Sequence, residues 1–286
     1  MMKSMKTLAA LAALLLAVLV SCGKEGDNPG AGEGITRLPD PAFKKTAMKL
    51  SVIETSCPVK TIELTEGGRF LVEKQDGPTY NKEYDFGGYK ITGEGKYSFD
   101  NGSSLEVTPV RAAVSFTLKL RSGEEYSGTA SVQPASSSSS DIASNLFRTW
   151  SVTKTRVSVT DGVKANADFT GCNLGEIADF LRSQSLDIQD DLKGLVVSEI
   201  TVTASGSFVI KYSDGTVDVA HCQLSSIASG AFSYSWESQD MGFSFENGNG
   251  SVAFEKSYCI LSLGATVKSG SRDCVVSLQL VMAEKK

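Results

Sequence analysis

A pattern of strands and turns that occurs twice in the same order most constrains what this chain can fold into. Three segments before the middle of the chain resemble three segments after it: residues 62–72 and 200–210, 97–102 and 243–248, and 120–123 and 267–270. Their separations of 138, 146 and 147 residues grow slowly, as small loop insertions would make them. A serine run at residues 136–140 lies between the two sets and is typical of a flexible linker. The sequence therefore predicts a tandem repeat of one structural unit.

Within each repeat, apolar and polar residues alternate, which is the period of a β-strand with one buried face. Residues 114–120 in the first repeat and 259–267 in the second show this alternation plainly. Asp-Gly or Asn-Gly dipeptides at residues 161–162, 214–215 and 247–248 favour the positive φ angles of tight hairpin turns. We therefore predict an all-β fold of two tandem antiparallel meanders, each forming a barrel or a sandwich of about eight strands.

The alternation also places individual strands. The first repeat is predicted to begin with a strand at residues 48–54, and the second to contain strands near residues 150–159, 199–203, 207–212, 217–224, 232–236, 243–246, 251–256, 258–267 and 274–282. If Ser269 and Gly270 form a two-residue turn, Leu261 faces Leu278 and Cys259 faces Leu280. That register keeps Cys259 and Cys274 several residues apart, so we expect no disulfide between them.

One segment of the second repeat departs from the strand pattern. Asn173 is a helix-capping residue, and Glu176 follows it three positions later. Apolar residues at positions 177, 180 and 181 then have the spacing of an amphipathic helix. We predict a short helix near residues 173–186, which either plugs one end of the β unit or forms a lid over a cavity.

The start of the chain has the pattern of an export signal. Lys3 and Lys6 precede an apolar run at residues 8–20, which is shorter than the about 20 apolar residues that a membrane-spanning helix needs. We therefore interpret residues 1–21 as a signal peptide. Residues 22–41 are rich in Gly, Pro and acidic side chains, which predicts a flexible tether.

The boundary residues Leu19-Val20-Ser21-Cys22 resemble the lipobox of bacterial lipoproteins. In that family the cysteine thiol is alkylated with diacylglycerol and the chain is cut before it. The resemblance implies that Cys22 is lipidated and that acyl chains such as palmitate anchor the protein in the outer membrane. Residues 24–27 are similar to the acidic export signal of surface-exposed lipoproteins in Bacteroidetes, but Gly26 interrupts the acidic run, so the periplasmic face and the cell surface both stay open.

Length and charge set the domain plan and exclude one class of partner. We predict β domains at residues 42–134 and 144–286, joined by a Ser-rich linker at residues 135–143. Loss of residues 1–21 removes two of the 28 basic residues against 33 acidic ones, which changes the net charge from −5 to −7. Nucleic-acid binding depends on clustered Lys and Arg, so this balance argues against it.

Leu146-Phe147-Arg148-Thr149-Trp150 opens the second meander and resembles the first strand of the lipocalin-like domains found in Bacteroidetes lipoproteins. In that family a Trp on the first strand closes one end of a small barrel. The residue two places before Trp150 is Arg148, where the family usually has Gly, and the first repeat has no Trp. The resemblance implies a lipocalin-like barrel or sandwich that can enclose a small apolar ligand.

The residue types that perform catalysis or hold metals do not form a recognisable motif. Sequence signatures of serine hydrolases, zinc proteases and P-loops are absent, and His221 is the only histidine, so we expect no metal site and no cofactor. The five cysteines after the lipobox are 57, 172, 222, 259 and 274, an odd number, and their pairing stays open. We expect a non-enzymatic protein, with a carboxylate-dependent hydrolase as the third alternative.

Aromatic residues are the remaining candidates for ligand contacts. Tyr84, Tyr89, Trp150, Tyr234 and Trp236 would form a platform for a sugar or an apolar ligand if exposed, and core packing is the alternative. The leading hypothesis is a lipocalin-like lipoprotein that binds a small molecule or glycan. The second is a structural or adhesive surface module, pilin-like or part of a larger complex, in which an open edge strand pairs with a surface protein.

Overall fold

The computed structural model describes residues 47–75, 82–133, 141–186, 192–223, 230–235, 248–269 and 272–285. Across these residues the chain is almost entirely β-strand, which confirms the predicted all-β class. The described residues divide into two compact units: residues 47–133 form the first domain, and most of residues 141–285 form the second.

The first domain is a closed antiparallel barrel of eight strands in sequence order. The strands are β1 (Met48–Val52), β2 (Val59–Leu64), β3 (Arg69–Gln75), β4 (Lys82–Gly93), β5 (Lys96–Phe99), β6 (Ser104–Val110), β7 (Ala113–Lys119) and β8 (Glu125–Gln133). Each strand pairs with the next one, and β8 pairs back onto β1, for example through Leu50 and Val132. The meander prediction is therefore confirmed, and for this domain the barrel alternative is the right one.

Side chains of alternate residues fill the interior of the first barrel. The phenyl rings of Phe70 and Phe99 stack there with centroids 3.9 Å apart. Gly87 lies directly beside this stack, since a Cβ atom at that position would lie 2.9 Å from Cε1 of Phe70 and collide with the carboxylate of Asp100. The buried set is Leu50, Val59, Ile62, Leu64, Phe70, Val72, Tyr89, Tyr97, Phe99, Leu105, Val114, Phe116, Leu118 and Ala130.

The second domain is a curled sheet whose last strand pairs with its first. Its elements are α1 (Asp141–Leu146), β9 (Thr149–Asp161), β10 (Val163–Thr170), α2 (Leu174–Ser183), β11 (Val197–Val202), β12 (Ser207–Tyr212), β13 (Val217–Gln223), β14 (Ala231–Ser235), β15 (Gly248–Glu255), β16 (Tyr258–Ser269) and β17 (Arg272–Glu284). The strand order is β10-β9-β11-β12-β13-β14-β15-β16-β17, and β17 also pairs with β9.

The strands of the two domains pair in the same order. Without β10, the described part of the second domain has eight strands that pair in sequence order, with the last joined to the first, as in the first barrel. The predicted match of residues 62–72 with 200–210 is confirmed, because Ile62 faces Val72 in one hairpin and Ile200 faces Ile210 in the other. The predicted strand at residues 243–246 lies outside the described residues.

The hairpin of β16 and β17 corrects one prediction of register. Leu261 faces Leu280 and Cys259 faces Met282, two residues beyond the expected partners. The predicted turn at residues 269–270 was wrong because Ser269 still pairs with Arg272. A shift of two residues leaves every side chain on its expected face, since the strand period is two. Cys259 and Cys274 are both buried free thiols, as expected.

Helix α2 begins where the sequence predicts. The Asn173 side chain accepts hydrogen bonds from the backbone N–H groups of Gly175 and Glu176, at 3.1 and 3.4 Å. The helix ends at Ser183, three residues before the predicted limit. Its apolar face, which includes Ile177 and Leu181, is buried in the core of the second domain.

Candidate binding cavity on the β9–β10 hairpin

The hairpin of β9 and β10 was not predicted as a unit, and its two faces differ sharply. Val157 and Val159 of β9 point into the core and are 1% and 3% exposed. Arg156 and Ser158 alternate with them and therefore point to the opposite, outer face. Cross-strand pairing places Asp168 beside Arg156 on that face. The outer face of this hairpin is thus a polar surface on an apolar core.

A cavity of about 340 Å³ opens on this outer face. Binding sites for small ligands are usually about 300–1,000 Å³, so the cavity lies at the small end of that range. Its lining residues come from the two strands of the hairpin: Arg156, Ser158, Lys164, Asn166, Ala167 and Asp168.

A charged cluster fixes one side of the cavity. Nε and Nη2 of Arg156 donate to the two carboxylate oxygens of Asp168 at 2.7 and 3.1 Å, and Nζ of Lys154 lies 3.0 Å from the same carboxylate. The hydrogen bond from Arg156 and the one from Lys154 hold the pKa of Asp168 well below its usual range. The same contact raises the pKa of Arg156. The bidentate geometry gives both side chains a defined orientation at the cavity wall.

The rest of the polar lining has hydrogen-bonding groups to offer. Within the part of the chain that the structure describes, the side chains of Ser158, Lys164 and Asn166 make no hydrogen bond or ion pair. A hydroxyl, an ammonium and an amide can together donate to and accept from a hydroxyl-rich ligand. The Arg156–Asp168 pair adds one cationic and one anionic group beside them. The cavity is therefore chemically suited to a small hydrophilic ligand.

A second polar feature, Asp218, lies in the core of the second domain. The Tyr212 hydroxyl donates to Oδ2 of Asp218 at 2.7 Å, whereas Oδ1 is buried and has no hydrogen-bond partner among the described residues. Burial raises the pKa of Asp218 to about 7 and raises that of Tyr212 well above its usual value. Burial also raises the pKa of the Cys172 thiol to about 12. These groups are separate from the cavity and do not line it.

Two of the predicted ligand-contacting aromatics are core residues. Trp150 is fully buried, and its Nε1 donates to the carbonyl of Leu146 at 2.9 Å. Tyr89 is 5% exposed in the other domain, and its hydroxyl donates to the carbonyl of Thr65 at 2.9 Å. Since both rings are packed and their polar atoms are bonded, neither forms the exposed platform that the sequence suggested.

The other predicted residues are not brought together either. Tyr84 is half-buried on β4, opposite Glu73. Tyr234 lies on β14, where its backbone pairs with Cys222, and its side chain is outside the described part of the structure. Trp236 and the lipidation candidate Cys22 lie outside the described residues. Tyr84 does not line the cavity.

The sequence contained a signal that leads to the cavity residues. The Asp161-Gly162 turn was recognised, and a hairpin centred on Gly162 sets Arg156 opposite Asp168 and Ser158 opposite Asn166. The positions of β10 between these polar residues are Ala165 and Ala167, which are half-buried and whose small side chains hide the apolar alternation. The second half of the hairpin was overlooked for that reason.

The described residues form neither a cluster of metal ligands nor a membrane-spanning helix. No group of three or more His, Cys, Asp or Glu side chains in this part of the chain could hold a metal ion. No helix within the described ranges is long and apolar enough to span a membrane.

Comparison with known proteins gives remote structural likenesses. No protein-family model matches the sequence, and no curated protein does. A DUF3598-family protein of unknown function from Nostoc punctiforme is 8% identical, with a TM-score of 0.26, over 84% of this chain and 96% of that chain. A mutant of the vaccine antigen Transferrin Binding Protein B from Haemophilus parasuis is 9% identical, with a TM-score of 0.24, over 79% of this chain and 53% of that one. Likenesses this remote carry no argument, and the fold rests on the strand pairing.

Proposed function

We propose that this chain is a non-enzymatic lipoprotein of the cell envelope that binds a small polar molecule or a glycan in the β9–β10 cavity. The observation that carries the proposal is the cavity itself, where Ser158, Lys164 and Asn166 present hydrogen-bonding groups that the described residues leave unpaired, beside a fixed Arg156–Asp168 pair. A sugar presents hydroxyl groups in several directions, and this mixture of donors and acceptors suits them.

The proposal moves the ligand away from the place that a lipocalin-like domain suggests. Fourteen buried side chains among the described residues fill the interior of the first barrel, including the tightly stacked Phe70 and Phe99. Displacing such a core would cost the packing that stabilises the domain. An external cavity avoids that cost, because most of its polar lining, including Lys164, Asn166 and Asp168, is exposed to solvent.

The binding test uses the full chain and an array of neutral and acidic oligosaccharides, followed by titration calorimetry with those that bind. Lys164→Ala and Asn166→Ala remove hydrogen-bonding groups from the cavity without breaking a pair within the described residues. A hydrogen bond to a charged group contributes about 1.5–3 kcal/mol, so Lys164→Ala should weaken binding at least about tenfold.

Lys119→Ala is the matched control, since Lys119 lies on the closed barrel and forms an exposed ion pair with Glu125 at 3.3 Å. The control should bind as the unchanged protein does. Equal affinity in all the variants, or weakening by Lys119→Ala alone, would contradict the proposed site.

The lipid anchor is tested separately. Cells that express the chain are fed an alkyne analogue of palmitate, and the label on the protein is measured together with its membrane fraction. Cys22→Ala should abolish both label and membrane retention, because the thiol is the expected acylation point. Cys57→Ala, at a half-buried thiol of the first barrel, should leave both unchanged. Retained label in Cys22→Ala would refute the anchor.

The second candidate function, a structural or adhesive surface module, is favoured by one observation. β10 stands at the end of the strand order and pairs with β9 alone among the described strands. An open strand edge can add a strand from a partner. The first barrel offers no such edge, because it is closed.

A further inference from the structure

One edge of β10 pairs with no other described strand, and residues along this strand are exposed to solvent. Val163 is 81% exposed, and the polar residues Lys164, Asn166 and Asp168 are exposed as well. Sheet edges usually avoid pairing by being short, by proline, by bulges or by charged side chains, especially Lys. β10 is eight residues long and contains no proline, and its charged residues are Lys164 and Asp168. A second strand can therefore pair with this edge where it sets an opposite charge against each of these two residues.

The sequence of β10 is complementary to itself about Asn166. In an antiparallel pair of two β10 strands centred on that residue, Lys164 of each strand lies opposite Asp168 of the other. Ala165 then faces Ala167, and Val163 faces Phe169. Every charged residue of the strand thus meets an opposite charge, and every apolar residue meets an apolar one. Opposite charges stabilise directly facing positions of antiparallel strands.

Other arrangements of the same two strands lose this match. An antiparallel register displaced by two residues sets Lys164 opposite Asn166 or Thr170 and leaves no facing charge pair. A parallel in-register pair places each charge beside its own kind, which is unfavourable. The complementarity is therefore specific to one two-fold symmetric register.

We propose that β10 is a homodimerisation edge, at which a second copy of this chain pairs antiparallel with Asn166 on the two-fold axis. The two-fold axis lies perpendicular to the sheet, so the outer faces of both hairpins lie on the same side. The two cavities then adjoin across the axis and form one longer polar surface. Two eight-residue strands bury less area than a standard stable interface, so the dimer is weak and depends on concentration.

Disulfide trapping tests the register directly. In the proposed dimer Asn166 faces its own symmetry mate, and facing residues of antiparallel strands have Cα atoms about 4.5–5.5 Å apart, within disulfide range. Lys164 lies four residues from its own mate, or about 13 Å along the strand, which is too far. The full chain carrying Asn166→Cys or Lys164→Cys is oxidised and examined on non-reducing gels, with the unchanged chain as the background for native thiols.

Asn166→Cys should form a covalent dimer at least about tenfold faster than Lys164→Cys. Equal rates for the two variants, or no dimer from Asn166→Cys, would overturn the proposal.

Sedimentation of the reduced full chain gives an independent result that does not depend on a cysteine. Lys164→Glu sets an acidic side chain opposite Asp168 at both ends of the strand pair, so it should weaken dimerisation about tenfold. Lys119→Glu on the closed barrel should not weaken dimerisation. Unchanged self-association in Lys164→Glu would also overturn it.

Discussion

The buried carboxyl of Asp218 makes the stability of the second domain depend on pH in a defined direction. Its side chain is 1% exposed, and the Tyr212 hydroxyl is its hydrogen-bond donor. Burial raises its pKa from 3.8 to about 7. Between pH 4 and pH 7 the unfolded chain has therefore lost this proton while the folded protein keeps it. Folding takes up a proton in that range, so the contribution of Asp218 to stability falls as the pH rises.

The size of the effect follows from the two pKa values. The interval between 3.8 and about 7 corresponds to about 4 kcal/mol, at about 1.4 kcal/mol for each pH unit. The contribution is complete below pH 4, declines from there to pH 7, and is constant above pH 7. Asp218→Asn keeps the shape of the side chain and an acceptor for the Tyr212 hydroxyl but cannot ionise. We therefore expect the variant to gain about 4 kcal/mol relative to the unchanged protein between pH 4 and pH 8.

Urea denaturation of both proteins at half-unit pH intervals measures this difference, and titrations elsewhere in the chain cancel in the comparison. Glu125→Gln is the control, because Glu125 is an exposed partner of Lys119. The difference in unfolding free energy between Glu125→Gln and the unchanged protein should change little from pH 4 to pH 8. A constant difference between Asp218→Asn and the unchanged protein from pH 4 to pH 8 would show that the folded protein ionises Asp218 normally, and would refute the reasoning.

Three smaller perturbations test the packing. Gly87→Ala forces a methyl group against Asp100 and the aromatic stack, so it should lower the free energy of unfolding, measured by urea denaturation, by about 1–3 kcal/mol. Gly264→Ala, which has open space around it, should lower the free energy of unfolding by less. Leu118→Ala empties a fully buried position in the first barrel and should cost about 2–5 kcal/mol by the same measurement. Asn173→Ala removes the cap of α2 and should cost about 1 kcal/mol, and an unchanged unfolding curve would contradict the capping role.

The sequence predicted the fold to the level at which alternation and turn chemistry are informative. The hairpin of β11 and β12 was placed correctly because Ile200 and Val202 alternate with polar residues before the turn, and an apolar run at residues 208–210 follows it. The turn between β16 and β17 was misplaced by one residue, because Ser269, Gly270 and Ser271 are equally good turn residues. Only the pairing of whole strands decides between such positions.

The candidate site was harder to predict because its residues are ordinary surface types. Lys164 and Asn166 look like solvated positions of any strand, and their importance appears only when the hairpin places them in the lining of one cavity with Arg156. The aromatic residues attracted attention because their side chains are large. Trp150 and Tyr89 fill cores instead, which is the more frequent role of a buried aromatic ring.

Amide hydrogen exchange of the full chain, with and without an oligosaccharide that binds it, tests the central claim most directly. Binding at the external cavity predicts protection confined to residues 154–168 of the β9–β10 hairpin. Protection that appears instead in β12 and β13, beside the buried Asp218, or in the strands of the first barrel would place the ligand inside a domain and contradict the account.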